Sequence, residues 1–144
     1  QHYNSHAFYE KCKGKKNTVL LVSTASGSHV FGGYLNIKWQ TPPTGSWVYG
    51  HDPDCFVFIL RSTNKSDIRG YNIHQHCAQY AVCFWDNYGP CFGQNCDFAI
   101  ANACNTTNSS YSSIASFNGL THHAQFAGAQ YFNVKEWEIW QLQQ

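Results

Sequence analysis

The sequence lacks methionine, has little charge, and contains no apolar run long enough to cross a bilayer. Charged residues make up 12% of its 144 residues, about half the share found in an ordinary soluble domain. Nine Lys and Arg oppose eight Asp and Glu without forming a basic stripe, which argues against nucleic acid as a partner. Apolar runs such as 19–22 and 56–60 fall far short of the roughly 20 residues that a membrane span needs. No membrane span is therefore predicted.

The chain has few charged residues but many cysteines and several N-glycosylation signals. The chain has seven Cys, a high number for this length and typical of an oxidising compartment. Asn64, Asn105 and Asn108 each begin an Asn-X-Ser/Thr acceptor for N-linked glycans, which would make a weakly charged surface soluble. The chain begins at Gln1 without a charged and then apolar leader, which predicts an N-terminus made by processing. Together these features predict a secreted, extracellular protein.

The pattern of apolar residues predicts a mainly β fold of the α+β class, in one domain over residues 1–144. Ser5 caps a predicted helix at 6–13. Residues 41–53 hold three of the four prolines and are predicted to form a long loop. A β-bulge near Lys135 and Glu136 would keep Trp137 and Ile139 on the face of Val134. Strands are predicted at 17–24, 29–35, 55–61, 70–74, 79–85, 98–101 and 131–142, which favours a two-sheet antiparallel sandwich with short peripheral helices.

Six segments, in order along nearly the whole chain, match the pattern of one known family. They include the strand and glycine pair at 18–22 and 31–34, and the sequence Phe-Asn-Val-Lys-Glu-Trp-Glu-Ile-Trp-Gln-Leu at 132–142. The others are 8–12, 52–60, 89–97 and 104–112. The chain therefore resembles the TLDc domain of the oxidation-resistance proteins.

This resemblance implies a central sandwich of two antiparallel sheets flanked by helices, and no settled enzymatic activity. Members of the family are associated with protection against oxidative stress, and some regulate the vacuolar proton pump inside cells. An exported member could not meet the cytosolic face of that pump. We therefore expect a protein that is not an enzyme and that needs no cofactor.

Two cysteines stand where the chain departs from the family pattern. The family usually reads Gly-Pro-Thr-Phe-Gly-Gly-Gly-His-Asp, and here Cys91 and Cys96 replace its Thr and its His. A loop containing glycine can bring such residues within disulfide range, so the paired substitutions predict a bond between them. Because the loop that this disulfide would close is small, we expect the disulfide to stabilise the fold by an amount at the low end of the usual 2–4 kcal/mol.

The other cysteines leave several possibilities open. Cys55 and Cys77 are the second candidate disulfide pair, whereas burial as small apolar side chains explains Cys12 and Cys104. Because the number of cysteines is odd, at least one remains free or pairs outside the chain.

A zinc site and a reactive thiol are the most specific chemical alternatives to a purely structural role for the histidines and cysteines. His74 and His76 would share a face on an extended segment beside Cys77, but no closely spaced cysteine pair accompanies them. Cys12 lies at the C-terminal end of the predicted helix, where the helix dipole disfavours a thiolate.

The acidic pair of the family's closing motif has a structural interpretation. Glu136 and Glu138 are two residues apart on a predicted strand, so they would face solvent together while Trp137 packs inward. Catalysis by this pair would require a pocket and a shifted pKa that the spacing alone does not supply.

The abundant aromatic residues favour binding. Trp39, Trp47 and Tyr49 flank or occupy the predicted loop, and such side chains are good interface anchors. Residues 1–5 are a candidate for strand addition to a neighbour's sheet edge. We therefore expect a glycosylated structural or adhesive module that associates with a protein partner or with copies of itself. The alternatives are monomeric recognition of a protein or carbohydrate, and oxidative-stress protection of the family's intracellular kind.

Overall fold

The computed structural model describes residues 4–143 and consists of two antiparallel sheets with one short α-helix. The predicted sandwich is confirmed. Two short 3-10 helices lie at Lys65–Asp67 and Gln75–Tyr80. The other elements are α1 (Ser5–Cys12), β1 (Thr18–Thr24), β2 (Val30–Leu35), β3 (Trp47–Gly50), β4 (Phe56–Arg61), β5 (Gly70–Asn72), β6 (Val82–Trp85), β7 (Tyr88–Phe92), β8 (Phe98–Ala101), β9 (Ser110–Tyr111), β10 (Tyr131–Phe132) and β11 (Val134–Gln141).

The first sheet has five strands in the order β11-β1-β2-β4-β5. Residues on β1 alternate between full and partial burial, as expected for a strand with one face on the core. Ser23 pairs with Glu136 whereas Thr24 pairs with Val134, so Lys135 is the extra residue of a bulge. The bulge predicted at this point is confirmed. It lets Trp137 and Ile139 pack against the core on the same side as Val134.

The second sheet has six strands in the order β10-β9-β8-β7-β6-β3. All four residues of β8 are buried, as are three of the four residues of β6. Such unbroken apolar strands arise when both sides of a sheet are covered. Both β3 and β10 lie at an edge of this sheet, so one side of each strand pairs with no other strand among residues 4–143.

Phenylalanine is the most frequent residue in the main core of the protein. Phe31 packs against Phe98 and Phe126 with ring centroids 5.1 Å and 5.3 Å apart, and Phe92 stacks on Phe98 at 5.1 Å. Offset and edge-to-face contacts of this kind add to the stabilisation from burial.

The helix α1 seals one end of the sandwich. Asn4 caps it, because its side chain accepts a hydrogen bond from the backbone N–H of Ala7 at 2.7 Å, so the prediction of Ser5 as the cap is wrong by one residue. The hydroxyl of Tyr9 donates to the carbonyl of Gly89 at 3.0 Å and accepts from the N–H of Trp85, also at 3.0 Å. Tyr9 is therefore inserted into the backbone ladder between β6 and β7.

Three further predictions need correction. The predicted loop at 41–53 contains β3, because its prolines and Gly45 all lie outside the four paired residues. The predicted strand at 131–142 is divided at Asn133, and β10 and β11 belong to different sheets. Within the segment proposed for strand addition, Asn4 and Ser5 are taken up by α1, and residues 1–3 lie outside the described part of the chain.

Within residues 4–143, no helix has both the length and the apolar character of a membrane span.

Candidate binding surface

Trp39 is a core residue, and its assignment as an interface anchor is wrong. Its side chain is 1% exposed, and the indole N–H donates to the Thr18 hydroxyl at 2.8 Å. The ring packs edge-on against Phe8 at 5.1 Å and Phe84 at 5.7 Å. Its backbone also holds the end of α1, since the N–H of Gly14 donates to the Trp39 carbonyl at 2.8 Å. Trp39 therefore joins the helix to the sandwich.

Trp47 and Tyr49 lie on the edge strand β3, and their side chains point to the outer face of the second sheet. Trp47 is 54% exposed and pairs with Trp85 on β6. Tyr49 is half-buried, and its hydroxyl donates to the carbonyl of Gln94 at 2.9 Å. This bond fixes the ring of Tyr49 while leaving the indole of Trp47 open to solvent.

These two residues belong to a larger aromatic surface on the outer face of the second sheet. Trp85 stacks on Tyr88 with ring centroids 4.8 Å apart, and Tyr88 meets Tyr111 edge-on at 5.6 Å. Tyr131 continues the row, because it pairs with Tyr111 across β10 and β9. We call this surface the aromatic face, and its members are Trp47, Tyr49, Trp85, Tyr88, Tyr111 and Tyr131.

The aromatic face contains a groove of about 220 Å³ whose lining residues carry no charge. Two sulfur-bearing side chains and two amide side chains complete the groove, the amides being those of Gln94 and Asn95. A mostly apolar concavity with a few polar groups at its rim is typical of a binding site. The lining residues are Trp47, Tyr49, Cys83, Trp85, Gln94, Asn95, Cys96 and Tyr111.

A cluster of sulfur atoms lies beneath the groove. Cys91 and Cys96 form a disulfide with their Cα atoms 5.2 Å apart, which is the bond that the departure from the family pattern predicts. Cys83 and Ala99 pack with this disulfide in one buried group, and the rings of the aromatic face cover it. The groove therefore has a small, sulfur-rich floor between aromatic walls.

Asp97 holds the chain next to the loop that this disulfide closes. The Asp97 carboxylate accepts hydrogen bonds from the backbone N–H groups of Ala115 at 2.8 Å and Ser116 at 2.9 Å. Gly93 has a φ of +95°, and a Cβ at this residue would collide with the Asp97 side chain. Burial raises the pKa of Asp97 despite these hydrogen bonds. The aspartate thus anchors the loop from the core side.

The predicted disulfide between Cys55 and Cys77 is not formed, and both residues are free and buried. The Sγ of Cys55 lies 3.9 Å from the carbonyl oxygen of Ala81, so it fills the core as a small apolar side chain with a weak donor. Burial raises the pKa of Cys55 well above its usual value. It also raises the pKa values of Cys12 and Cys104 to about 11, which opposes the thiolate chemistry considered for Cys12.

The histidine and cysteine cluster considered for zinc does not converge on one point. The rings of His74 and His76 stack with their centroids 5.1 Å apart, whereas Cys77 is buried in the main core. In the part of the chain that the structure describes, no three metal-ligating side chains come together.

The acidic pair is exposed on β11. The Glu138 carboxylate accepts a hydrogen bond from the indole N–H of Trp140 at 2.9 Å, and Glu136 lies near Arg61 and Lys135 along a shallow notch. The two carboxylates share the outer face of the first sheet, as predicted, while the intervening Trp137 packs against the core.

All three glycosylation acceptors lie in exposed turns. The side-chain oxygen of Asn64 accepts hydrogen bonds from the N–H and the hydroxyl of Ser66 at 3.1 Å and 2.8 Å. The carbonyl of Ser109 accepts from the Tyr88 hydroxyl at 3.3 Å, which places the acceptor at Asn108 beside the aromatic face. These positions are accessible, and glycosylation of them remains a prediction.

Sequence reasoning did not pick out Trp85 or Tyr111 as surface residues. The signal lay in β6, which reads Val-Cys-Phe-Trp and is apolar on both of its faces. A strand that is apolar on both faces within a two-sheet sandwich has an outer face that other apolar side chains must cover.

The model of the TLDc domain family matches residues 2–143, nearly the whole chain. No protein of curated function shows detectable similarity to the sequence.

Proposed function

Because the chain belongs to the TLDc domain family, we propose that it acts by binding and not by catalysis, as an extracellular, glycosylated structural or adhesive module. Its binding surface is the aromatic face, and its partner is another copy of the chain. The observation that carries this proposal is the uncharged aromatic groove beside the free edge of β3.

The chemistry of the aromatic face suits a protein interface. Trp and Tyr contribute most of the binding energy at many interfaces because one end of each side chain is apolar and the other can hydrogen-bond. Trp47 and Tyr131 are each more than half exposed, at 54% and 55%. Burying them against a second copy removes apolar surface from water without separating any charge from its partner.

The strand edge and the low net charge favour the same conclusion. Among residues 4–143, no strand pairs with the outer side of β3, and the backbone of a strand from another copy can hydrogen-bond there. The formal net charge of the chain is only +1, so repulsion between copies is weak. The part of the first sheet around β4 and β5 exposes Leu60 and Ile68 on its outer face, at the opposite edge from Trp140 on β11. A second contact through that face would extend a pair of copies into a filament.

We expect replacement of Trp47 with Ala to weaken self-association by at least about thirtyfold, as for an interface residue worth about 2 kcal/mol. Sedimentation velocity or light scattering over a range of concentrations gives the dissociation constant. Trp140→Ala is the matched control, because Trp140 is 57% exposed but lies on the other sheet beside Glu138. A monodisperse monomer at the highest concentration, or equal weakening by both substitutions, would contradict the proposal.

The extracellular assignment has its own test. We expect the protein from its natural source to exceed the 16.3 kDa of the bare chain and to lose the excess on enzymatic removal of N-linked glycans. Replacing Asn64, Asn105 and Asn108 in turn with Gln should remove one glycan each. Intact-mass spectrometry measures all of these changes.

Membership of the TLDc family also favours a second candidate function, protection against oxidative stress inside cells. That function predicts an unmodified chain and thiols that remain reduced. The buried cysteines whose pKa values reach about 11 are poor nucleophiles toward peroxide, so this protection would not come from their thiols. A glycan on any of the three acceptors would argue against the intracellular function.

A further inference from the structure

Two cysteines of the second sheet, Cys83 and Cys91, lie together with Cys96 from the turn between β7 and β8 on the side that faces the groove. Val82 on β6 pairs with Phe92 on β7, so the next residues along the antiparallel strands, Cys83 and Cys91, are neighbours on the opposite face. Cys83 packs in the same buried cluster as both halves of the Cys91–Cys96 disulfide. A free thiol is thus in place beside a disulfide.

We propose that Cys83 exchanges with this disulfide and converts it into an alternative bond between β6 and β7. The Cys83 thiol loses its proton to water, and the thiolate attacks the Sγ of Cys91. The Cys83–Cys91 bond forms as the Cys91–Cys96 bond breaks, and Cys96 leaves as a thiolate that takes up a proton. One disulfide and one thiol are present before and after, so the step needs neither an oxidant nor a reductant.

The positions of the three residues favour Cys96 as the leaving group. Cys91 is fully buried, whereas Cys96 is 6% exposed and lines the groove, so the departing sulfur is the one nearer to water. Cys96 has a φ of +55°, a left-handed conformation that residues with a side chain seldom adopt. Breaking its bond removes one constraint that holds it there.

The exchange would alter one wall of the groove. The present disulfide closes the short loop that carries Gln94 and Asn95, and both residues line the groove. The alternative bond would instead join two strands that are already paired, leaving the loop held by hydrogen bonds, among them those from the Tyr49 hydroxyl to the Gln94 carbonyl and from the Gln94 N–H to the Ser116 hydroxyl. The two disulfide isomers thus present different binding surfaces from the same chain.

Burial determines how fast the exchange proceeds. The apolar surroundings raise the pKa of Cys83 to about 11, so the thiolate is about one molecule in ten thousand at pH 7. The thiolate fraction, and with it the rate, increases about tenfold for each pH unit below that pKa. The structure therefore predicts an isomer that forms slowly near neutral pH and much faster at pH 9 to 10.

The experiment maps the disulfides of the intact, oxidised protein after incubation between pH 7 and pH 10. Acid quenching, alkylation of free thiols and peptic digestion under acidic, non-reducing conditions precede mass spectrometry. Pepsin is required because residues 70–134 contain no Lys or Arg, and trypsin would leave five cysteines on one peptide. We expect a Cys83–Cys91 linkage to appear together with alkylated Cys96, about tenfold faster per pH unit.

A matched pair of variants assigns the attacking thiol. Cys83→Ser should abolish the new linkage, whereas Cys104→Ser should retain it, because Cys104 is an equally buried thiol that packs in the main core. If Cys83→Ser does not fold, the disulfide linkages found in the unmodified chain still test the proposal. The proposal is overturned if Cys91–Cys96 is the only linkage at every pH, if the same new linkage forms in Cys83→Ser, or if Cys83 bonds only to another molecule. Each outcome can be recorded with monomeric protein, so the result is separable from self-association.

Discussion

Replacement of Trp39 with Ala is expected to lower the free energy of unfolding by about 3–5 kcal/mol, the range for removing a large aromatic side chain from a core. The indole is 1% exposed and contacts Phe8 on α1 as well as Phe84 and Phe92 in the second sheet. Its removal leaves a cavity at the junction of the helix and the sheets. It also removes the donor to the Thr18 hydroxyl.

Urea unfolding followed by far-ultraviolet circular dichroism measures this loss, since that signal arises mainly from the backbone and is present in both proteins. Trp140→Ala provides the comparison, because the same atoms are removed from a residue that is 57% exposed, and its effect should stay within about 0.5 kcal/mol. Similar losses in the two variants would show that Trp39 is not the core residue described above.

Replacement of Gly32 with Ala is expected to destabilise the first sheet by about 3 kcal/mol, the upper part of the usual range for overpacking. A Cβ on Gly32 would collide with the backbone carbonyl of Leu20 and would lie 2.9 Å from the ring of Phe58. Gly32 is in the middle of β2 and pairs with residues of both β1 and β4. The strands must separate to admit a methyl group, and this weakens ladder hydrogen bonds on both sides.

Gly70→Ala is the matched control in the same sheet. Gly70 pairs with Phe58 from the other side, but the nearest heavy atom to its added Cβ is the Val57 carbonyl oxygen at 4.0 Å. We expect this variant to unfold at nearly the same urea concentration as the unmodified protein. An unchanged midpoint for Gly32→Ala would refute the close approach of the strands at that residue.

The strands that could be predicted were those with a clear local pattern. In β1, the run of β-branched and apolar residues predicts a strand, whereas the alternate burial of its residues is seen only in the structure. The bulge at Lys135 was also predictable, because only an extra residue puts Trp137 on the core side with Val134. The edge strand β3 was missed, since its four residues follow a segment rich in Pro and Gly and pair only with β6, 35 or so positions further along the chain.

The candidate site was predicted in part. Trp47 and Tyr49 were identified by residue type and lie on the exposed aromatic face, whereas Trp39 was chosen on the same grounds and is buried. An indole suits a core and an interface equally well, so composition cannot separate the two. Trp85 and Tyr111 belong to the aromatic face because of the order of strands in the second sheet, which residue type does not reveal.

The sequence by itself determined the family, the two-sheet architecture and the Cys91–Cys96 disulfide. Each of these depends on short segments whose residues interact locally or match a family pattern. Only the tertiary structure decided that Cys55 and Cys77 are unpaired and that Cys83 is beside the disulfide. Distance between side chains depends on how strands from separate parts of the chain are arranged. Residue type and spacing along the chain do not specify that arrangement.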